Sequence, residues 1–144
     1  MSRDDQLSDR GDYWAVAPLA GRTVTRCFVD YAFGIECWDR ERETTMRIEG
    51  NFVLKVNGAE QRLSPEQPTA LGPAFSIIHK AVDSARVYKD GCLEVNFSDG
   101  SSLFVEPDSE YEAWEIVGRG GLRVVCVPGG SLSIWQREED GNTL

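Results

Sequence analysis

Hydrophobic and polar residues alternate with a period of two over most of the chain. Successive side chains of a strand point to opposite faces of a sheet, so this alternation predicts β-strands. The clearest examples are residues 23–31, 45–48, 52–56 and 92–97, which are rich in β-branched and aromatic residues. A further, strongly apolar strand is predicted over residues 122–127.

Short turn sequences join these strands into hairpins. Asn57-Gly58 is typical of a two-residue type I′ turn, because both residues tolerate positive φ. Residues 89–91, 98–100 and 128–130 each end in a glycine, which predicts three-residue loops with that glycine in the left-handed conformation. The cross-strand pairs that follow are Val56–Ala59, Lys55–Glu60, Val87–Leu93, Val95–Leu103, Leu93–Val105, Cys126–Leu132 and Val124–Ile134.

The same reasoning places a three-residue loop at residues 32–34, with Gly34 in the left-handed position. The pairs that this loop predicts are Tyr31–Ile35, Val29–Cys37 and Asp30–Glu36.

Two segments carry helical signals. Apolar residues at three-to-four-residue spacing predict one short main helix over residues 74–81. Ser109 and Glu112 match a capping box, in which a serine and a glutamate three positions later satisfy the first N–H groups of a helix. This predicts one helical turn that brings Tyr111 and Trp114 onto a common face anchored in the core.

Turns that recur every 8 to 12 residues or so are typical of an all-β pattern. We therefore predict an α+β, mostly-β fold, with twisted antiparallel sheets built from hairpins and a meander, curled or sandwich-like, and one main short helix. The meander is predicted over residues 85–88, 92–97 and 101–106. We expect a single domain over residues 13–136, between disordered polar tails at residues 1–12 and 137–144.

The chain of 144 residues has a net charge of −9 and a pI of about 4.6. Because nucleic acids and anionic membranes are bound by clustered lysine and arginine, this balance disfavours both as partners. No apolar run reaches the length of a membrane span, and the first twelve residues contain no apolar signal segment. We expect a cytoplasmic protein.

Thiol and imidazole chemistry has little support in the sequence. The four cysteines, Cys27, Cys37, Cys92 and Cys126, form no close pair, and His79 is the single histidine. A structural zinc site needs such pairs, so we expect free cysteines that pack as small core residues. We predict no metal, no nucleotide cofactor and no catalytic triad.

The stretch from Gly91 to Trp135 has a distinctive arrangement of glycine, proline and aromatic residues. Its most specific parts are residues 111–115 (Tyr-Glu-Ala-Trp-Glu) and 128–130 (Pro-Gly-Gly). The stretch resembles an uncharacterised family of small actinobacterial conserved-hypothetical proteins, a domain of unknown function. That resemblance implies no activity. Sequences of this kind are also similar, more loosely, to immunity proteins of bacterial toxin systems.

An acidic run over residues 106–115 is the first candidate site. Its carboxylates are Glu106, Asp108, Glu110, Glu112 and Glu115, without an intervening base. Paired carboxylates can act as a general acid and base or hold a hard metal ion. The favoured interpretation is instead that they cap a turn and lie in solvent, with a binding surface as the second choice. The candidate binding residues are Asp108, Glu110, Tyr111, Glu112, Trp114 and Glu115.

Other candidates have structural explanations that we favour. Asp30 and Glu36 could share a proton if buried together, although an exposed hairpin face is the preferred reading. The glycine clusters at 118–121 and 128–130 lie between strands and are read as turns. Core packing is also favoured for the aromatic residues, which otherwise could line a ligand cavity or an interface; they include Trp14, Trp38, Trp114, Trp135, Tyr13, Tyr31 and Tyr111.

These features favour a non-enzymatic binding domain that engages a basic protein partner or a second copy of the chain, and the looser similarity adds an immunity-like role as one form of it. The alternative is a carrier of small apolar ligands, in which a curved sheet encloses a cavity. A carrier requires a closed, aromatic-lined pocket of roughly 300 Å³ or more, whereas an interaction domain requires a filled core and an exposed apolar or acidic patch.

Overall fold

The structure, a computed structural model, describes residues 5–38 and 43–136. Its strands are β1 (Leu7–Asp9), β2 (Tyr13–Val16), β3 (Arg26–Val29), β4 (Phe33–Trp38), β5 (Glu43–Ile48), β6 (Phe52–Val56), β7 (Ala59–Leu63), β8 (Val82–Tyr88), β9 (Leu93–Phe97), β10 (Ser102–Val105), β11 (Trp114–Val117), β12 (Arg123–Cys126) and β13 (Leu132–Trp135). Short 3-10 helices span Pro68–Ala70, Gly72–Ile77 and Arg119–Gly121. The predicted mostly-β fold class is confirmed.

The strands form two antiparallel sheets. One sheet has seven strands in the order β1-β2-β8-β9-β10-β6-β7, and the other has six in the order β13-β12-β11-β5-β4-β3. The chain passes between the sheets at three points, through residues 17–25, 49–51 and 106–113, and the last two are neighbours. These two connections lie side by side, since the N–H groups of Glu49 and Gly50 both bond to the carbonyl oxygen of Ala113.

The core lies between the two sheets. Phe33 of the six-stranded sheet stacks on Phe52 of the seven-stranded sheet, with 5.5 Å between ring centroids. Phe75, from the 3-10 helix Gly72–Ile77, meets Phe33 edge-on at the same distance of 5.5 Å. Burying a phenylalanine side chain stabilises a fold by about 1.5–3 kcal/mol, so this trio fixes how the sheets and the helix pack together.

The turns with clear sequence signals form as predicted. Asn57 and Gly58 both have positive φ, and Lys55 lies opposite Glu60. Gly91 and Gly100 have φ of 101° and 91° in three-residue loops. The confirmed pairs are Val56–Ala59, Val87–Leu93, Val95–Leu103, Leu93–Val105, Cys126–Leu132 and Val124–Ile134.

The prediction for the hairpin at residues 32–34 is wrong. The loop lies at residues 30–32, where the Asp30 carboxylate accepts the N–H of Ala32 over 2.8 Å. Gly34 lies within β4 opposite Phe28, and a Cβ at this position would lie 2.1 Å from Cζ of the Phe28 ring. Gly34 is therefore needed to make room for an aromatic ring and does not form a left-handed turn.

The cross-strand pairs expected from that loop change with it. Val29 lies opposite Phe33, in place of the predicted Cys37, and Tyr31 sits in the loop. The Asp30 and Glu36 carboxylates do not meet: each holds an arginine, Asp30 binding Arg47 over 2.9 Å and Glu36 binding Arg26 over 3.1 Å.

The amino-terminal segment also differs from its prediction. We expected residues 1–12 to form a disordered tail, yet Leu7–Asp9 forms β1, which pairs with β2. The side chain of Leu7 is buried in the core, and its N–H donates to Oε1 of Gln136 over 2.8 Å. Strand pairing and one buried leucine offset the polar composition that suggested a tail. The tail predicted at residues 137–144 lies outside the described residues.

The main helix is shorter and earlier than predicted. Residues 72–77 form a 3-10 helix in place of an α-helix over 74–81. The backbone of His79 has φ of 74°, which no right-handed helix allows, and its N–H bonds to the carbonyl oxygen of Val24. The chain is thus turned at His79 to enter β8.

Candidate functional site

The connection between β10 and β11 forms the centre of the candidate site. Oδ1 of Asp108 accepts the N–H groups of Glu110 and Tyr111 over 2.7 and 3.2 Å. Asp108 thus forms the turn that the sequence had assigned to Ser109, and residues 109–113 form no helix. Because Asp108 already accepts these N–H groups and no helix follows, the capping-box prediction is wrong.

Trp114 and Tyr111 lie on opposite sides of the chain, against the prediction of a common face. Trp114 is 1% exposed and donates its indole Nε1–H to the carbonyl oxygen of Gly91 over 2.8 Å. Tyr111 is 51% exposed. Since no helical turn forms, the spacing of three residues does not bring the two rings together.

Three carboxylates lie near enough to the exposed Tyr111 to affect its phenol. The charges of Glu66, Asp108 and Glu110 raise the pKa of Tyr111 above its usual value of 10.0. Glu66 comes from the loop after β7, so the fold adds to the acidic run a carboxylate that is distant in sequence.

The opposite flank of the connection is acidic as well. Burial raises the pKa of the Glu49 carboxyl above its usual value of 4.5, and the charge of Glu112 adds to this effect. Glu49 precedes Gly50 in the connection between the sheets at residues 49–51. Carboxylates of both connections and of the loop after β7 lie at this end of the molecule together with one exposed tyrosine, and we call this group the acidic rim: Glu49, Glu66, Asp108, Glu110, Tyr111 and Glu112.

Two surface clefts open beside the acidic rim. One has a volume of about 190 Å³ and includes Glu106 and Asp108 in its wall, and the other, of about 320 Å³, includes Glu66. Both are lined by Asn51 and Arg62. The larger cleft is lined by polar residues and Leu63, without an aromatic ring, which is unlike the closed apolar cavity that a carrier requires.

The remaining predicted site residue, Glu115, lies on the outer face of β11. Its Oε2 accepts a hydrogen bond from Nε of Arg123 over 2.5 Å. Of the six predicted binding residues, the structure thus brings Asp108, Glu110, Tyr111 and Glu112 together, places Trp114 in the core, and pairs Glu115 on a neighbouring surface.

Residues that could carry out covalent chemistry are poorly placed for it. Burial raises the pKa of the Cys27 and Cys37 thiols to about 12, which leaves almost no thiolate at neutral pH. The Cys92 thiol also has a pKa of about 12, and that of Cys126 is about 11. Within residues 5–38 and 43–136, no three His, Cys, Asp or Glu residues are grouped so as to hold a metal ion.

One polar cluster was missed by the sequence reasoning. Nζ of Lys80 lies 2.8 Å from Oδ2 of Asp99 and donates to Oγ of Ser101 over 3.0 Å. Ser101 in turn donates to Asp99 over 2.6 Å and is almost fully buried. The cluster ties the β9–β10 turn to the start of β8, and the buried Ser101 hydroxyl is inaccessible to a substrate.

The aromatic residues divide between the core and the surface. Trp114 and Phe33 are buried, but Trp38 and Trp135 are 52% and 51% exposed, on the outer face of the six-stranded sheet. Core packing, which the sequence favoured, therefore holds for only part of this set. The sequence did contain a signal for this exposure. In each strand the tryptophan falls on the same alternating positions as the polar residues, which face solvent.

A family model matches residues 15–136 of the chain, from β2 to the end of β13. The chain belongs to DUF6188, a family of unknown function. The resemblance drawn from residues 91–135 is thus confirmed as membership of a family of unknown function. No curated protein and no solved structure matches this DUF6188 chain. No helix among its described residues has the length and apolar character to cross a membrane.

Proposed function

We propose that this DUF6188 chain is a non-enzymatic binding domain that engages a basic protein partner through the acidic rim. The observation that supports the proposal is the half-exposed Tyr111 ring among the carboxylates of Glu66, Asp108 and Glu110. Tyrosine is enriched at protein interfaces because one rigid ring offers both apolar area and a hydroxyl. Carboxylates around such a ring complement lysine or arginine side chains, which also bind the face of an aromatic ring.

The overall charge supports the same choice of partner. A net charge of −9 raises the rate at which basic proteins associate with this chain, and it repels nucleic acids and anionic membranes. In its more specific form, the proposal is that this chain is an immunity-type protein and that its partner is a basic toxin. The cytoplasm is the proposed location, since the four free cysteines suit a reducing compartment.

A peptide array tests the chemistry of the rim directly. The probes are peptides of about 15 residues in which the number of lysines and arginines increases stepwise at fixed length. We expect binding to rise with basic content and to weaken as the salt concentration increases, because exposed charges are screened by salt. The variants Glu66→Gln/Glu110→Gln and Tyr111→Ala each remove part of the rim, and we expect each to weaken binding by about tenfold.

The matched control removes the same number of charges elsewhere. Glu60 and Asp83 are exposed carboxylates near the turns at the other end of the seven-stranded sheet. The variant Glu60→Gln/Asp83→Asn should bind the basic peptides as wild type does. Equal weakening by both double variants would mean that net charge alone attracts the peptides, and the proposed site would be wrong.

A further inference from the structure

Strand β7 forms a free edge of the seven-stranded sheet. It is the last strand in the order β1-β2-β8-β9-β10-β6-β7, so β6 is its one neighbour among the described strands. The strand and the segments on both sides of it lie within the described residues. Its first four residues, Ala59, Glu60, Gln61 and Arg62, are all exposed. A strand edge of this kind offers unpaired N–H and C=O groups to another strand.

The hairpin geometry shows which backbone groups face this edge. Val56 and Ala59 flank the two-residue turn, and residues in that position exchange both of their backbone hydrogen bonds. Hydrogen-bonded and non-hydrogen-bonded pairs alternate along antiparallel strands, so Gln61 also bonds to β6. The N–H and C=O groups of Glu60 and Arg62 therefore point away from β6. In the described part of the chain, no turn or loop forms a backbone hydrogen bond with them.

The side chains of this strand carry opposite charges two residues apart. Glu60 and Arg62 lie opposite Lys55 and Val53, which alternate with the buried residues of β6. Both charged side chains therefore point to the outer face of the sheet. Neither of them forms an ion pair with another described residue. The free edge thus presents two charges of opposite sign at the same residues as its free backbone groups.

We infer that β7 pairs with β7 of a second copy of this chain, antiparallel and about a twofold axis at Gln61. Gln61 then lies opposite the partner's Gln61, and Glu60 lies opposite the partner's Arg62. By the same symmetry, Arg62 lies opposite the partner's Glu60. Residues with free backbone groups meet each other in this register, so they exchange both N–H···O=C bonds across the axis.

Charge selects this register over its neighbours. Moving the partner strand by two residues places Glu60 opposite the partner's Glu60 in one direction, and Arg62 opposite the partner's Arg62 in the other. Like charges directly opposite each other destabilise a strand pair. A shift of one residue turns the matching side chains to opposite faces of the sheet. The order Glu-Gln-Arg therefore matches a reversed copy of itself in the proposed register.

The surroundings of the edge leave room for a second strand. On the inner face, Ala59 and Gln61 border an open cleft of about 270 Å³. On the outer face, Glu60 would lie between Lys55 of its own chain and the partner's Arg62. The two cations at each carboxylate offset part of the repulsion between two chains that each carry a net charge of −9.

The acidic rim lies past the end of the paired strands. Leu63 lies opposite the partner's Ala59 in this register, and the chain beyond it runs towards the partner's turn at residues 57–58. That turn, Asn-Gly, carries no charge. Glu66 of the rim is therefore not brought against a carboxylate of the partner's β7.

The contact is short, so the dimer should be weak. The five residues of β7 give about 17 Å of paired edge. A single pair of strands of this length buries less than the roughly 1,600 Å² of a standard interface. We therefore expect a dissociation constant on the order of 100 µM.

A disulfide cross-link tests the register directly. Gln61→Cys places two thiols at a non-hydrogen-bonded pair, whose Cα atoms lie about 4.5 Å apart, within reach of a disulfide. The full chain with this substitution, at about 200 µM and with diamide as the oxidant, should give a covalent dimer on a non-reducing gel. Ala59→Cys is the matched control, because its two copies lie about 14 Å apart across the axis and should cross-link little. Wild type treated alike measures the background from the native cysteines.

Charge reversal tests the same register without a covalent bond. In sedimentation equilibrium from about 5 to about 500 µM, the mass of wild type should rise from that of one chain towards that of two. Arg62→Glu faces the partner's Glu60 with a like charge and should weaken dimerisation by about tenfold. Glu60→Arg/Arg62→Glu exchanges the two charges and should restore most of it. Arg10→Glu makes the same change of net charge at the opposite edge of the sheet and should dimerise as wild type does.

The outcomes that overturn the inference are specific. A folded wild-type chain that stays monomeric at about 500 µM would show that β7 does not bind a second copy. Equal cross-linking of Gln61→Cys and Ala59→Cys would show that the axis does not pass through Gln61. A charge-exchanged variant that is folded but dimerises no better than Arg62→Glu would contradict the pairing of Glu60 with Arg62. Circular dichroism shows whether each variant is folded.

Failure of this inference is distinguishable from failure of the proposed function. The acidic-rim variant Glu66→Gln/Glu110→Gln should lose affinity for basic peptides and dimerise as wild type does. Glu60→Gln/Asp83→Asn should show the reverse, a weaker dimer with unchanged peptide binding, because it removes the carboxylate that faces the partner's Arg62.

Discussion

Trp114 donates its indole N–H to the carbonyl oxygen of Gly91 over 2.8 Å, and this bond joins the two sheets. Trp114 begins β11 of the six-stranded sheet, and Gly91 ends the turn between β8 and β9 of the seven-stranded sheet. Gly91 also lies against the turn at residues 128–130, where a Cβ on Gly91 would come within 2.6 Å of the Gly130 oxygen. The acidic rim is therefore attached to one of the most closely packed points of the fold.

Replacing Trp114 separates packing from hydrogen bonding. Trp114→Ala should lower the free energy of unfolding by about 3–5 kcal/mol, because it leaves a large cavity. Trp114→Phe keeps most of the apolar volume but leaves the Gly91 oxygen without its indole donor, and should cost about 1–3 kcal/mol. Urea denaturation measures both, with the exposed Tyr31→Ala as control. A Trp114→Phe variant as stable as wild type would show that the bond contributes nothing.

Two glycines of the same turn type give a matched pair. Gly91 and Gly100 each have φ near 100° at the third position of a three-residue loop, but nothing lies within 4 Å of a Cβ on Gly100. Gly100→Ala should cost about 1–2 kcal/mol, from the unfavourable backbone conformation alone. Gly91→Ala must in addition displace the backbone of Gly130, so its thermal melting temperature should fall considerably further. Equal losses would contradict the close approach of the two turns.

The Asp99 cluster should make part of the stability depend on acid pH. Hydrogen bonds from Lys80 and Ser101 hold the pKa of Asp99 well below its usual value of 3.8. A carboxylate with a lowered pKa in the folded state stabilises the protein above its unfolded pKa, and this contribution is lost as the pH falls through the folded value. Stability should therefore decline below a pH of about 4, and Asp99→Asn should flatten that decline.

Urea denaturation at neutral pH and at a series of acid pH values measures this effect. Asp83→Asn, which changes an exposed carboxylate on β8, is the control and should leave the pH dependence close to that of wild type. An Asp99→Asn variant with the same acid dependence as wild type would contradict the assigned role of the Lys80 pair.

The geometry of the acidic rim can be measured through the Tyr111 phenol. The Glu66 charge has the largest effect on the raised pKa of Tyr111, followed by Asp108 and Glu110. Glu66→Gln should therefore lower the pKa of Tyr111 towards 10.0, and by more than Glu110→Gln does. Titration of isotope-labelled tyrosine by NMR gives the value, and added salt should reduce the difference. A pKa unchanged by Glu66→Gln would place Glu66 away from the ring.

Local turn chemistry and strand alternation were determined by the sequence itself. Asn57-Gly58 and the glycines at 91, 100 and 130 act on residues directly beside them, so registers such as Val95–Leu103 and Val124–Ile134 follow without knowledge of the rest of the fold. The mostly-β class follows from the same pattern. The turn at residues 30–32 was misplaced because Gly34 serves Phe28 across the hairpin, which no local rule reveals.

Tertiary structure decided which distant groups meet. The sequence places five carboxylates in one run, but only the fold brings Glu66 to Tyr111 and turns Trp114 away from it. Likewise, the chain order does not show that Arg47 and Glu115 share a row on the outer face. Sheet order depends on the summed burial of side chains from all strands, a non-local quantity, and the positions of charges on the surface follow from that order.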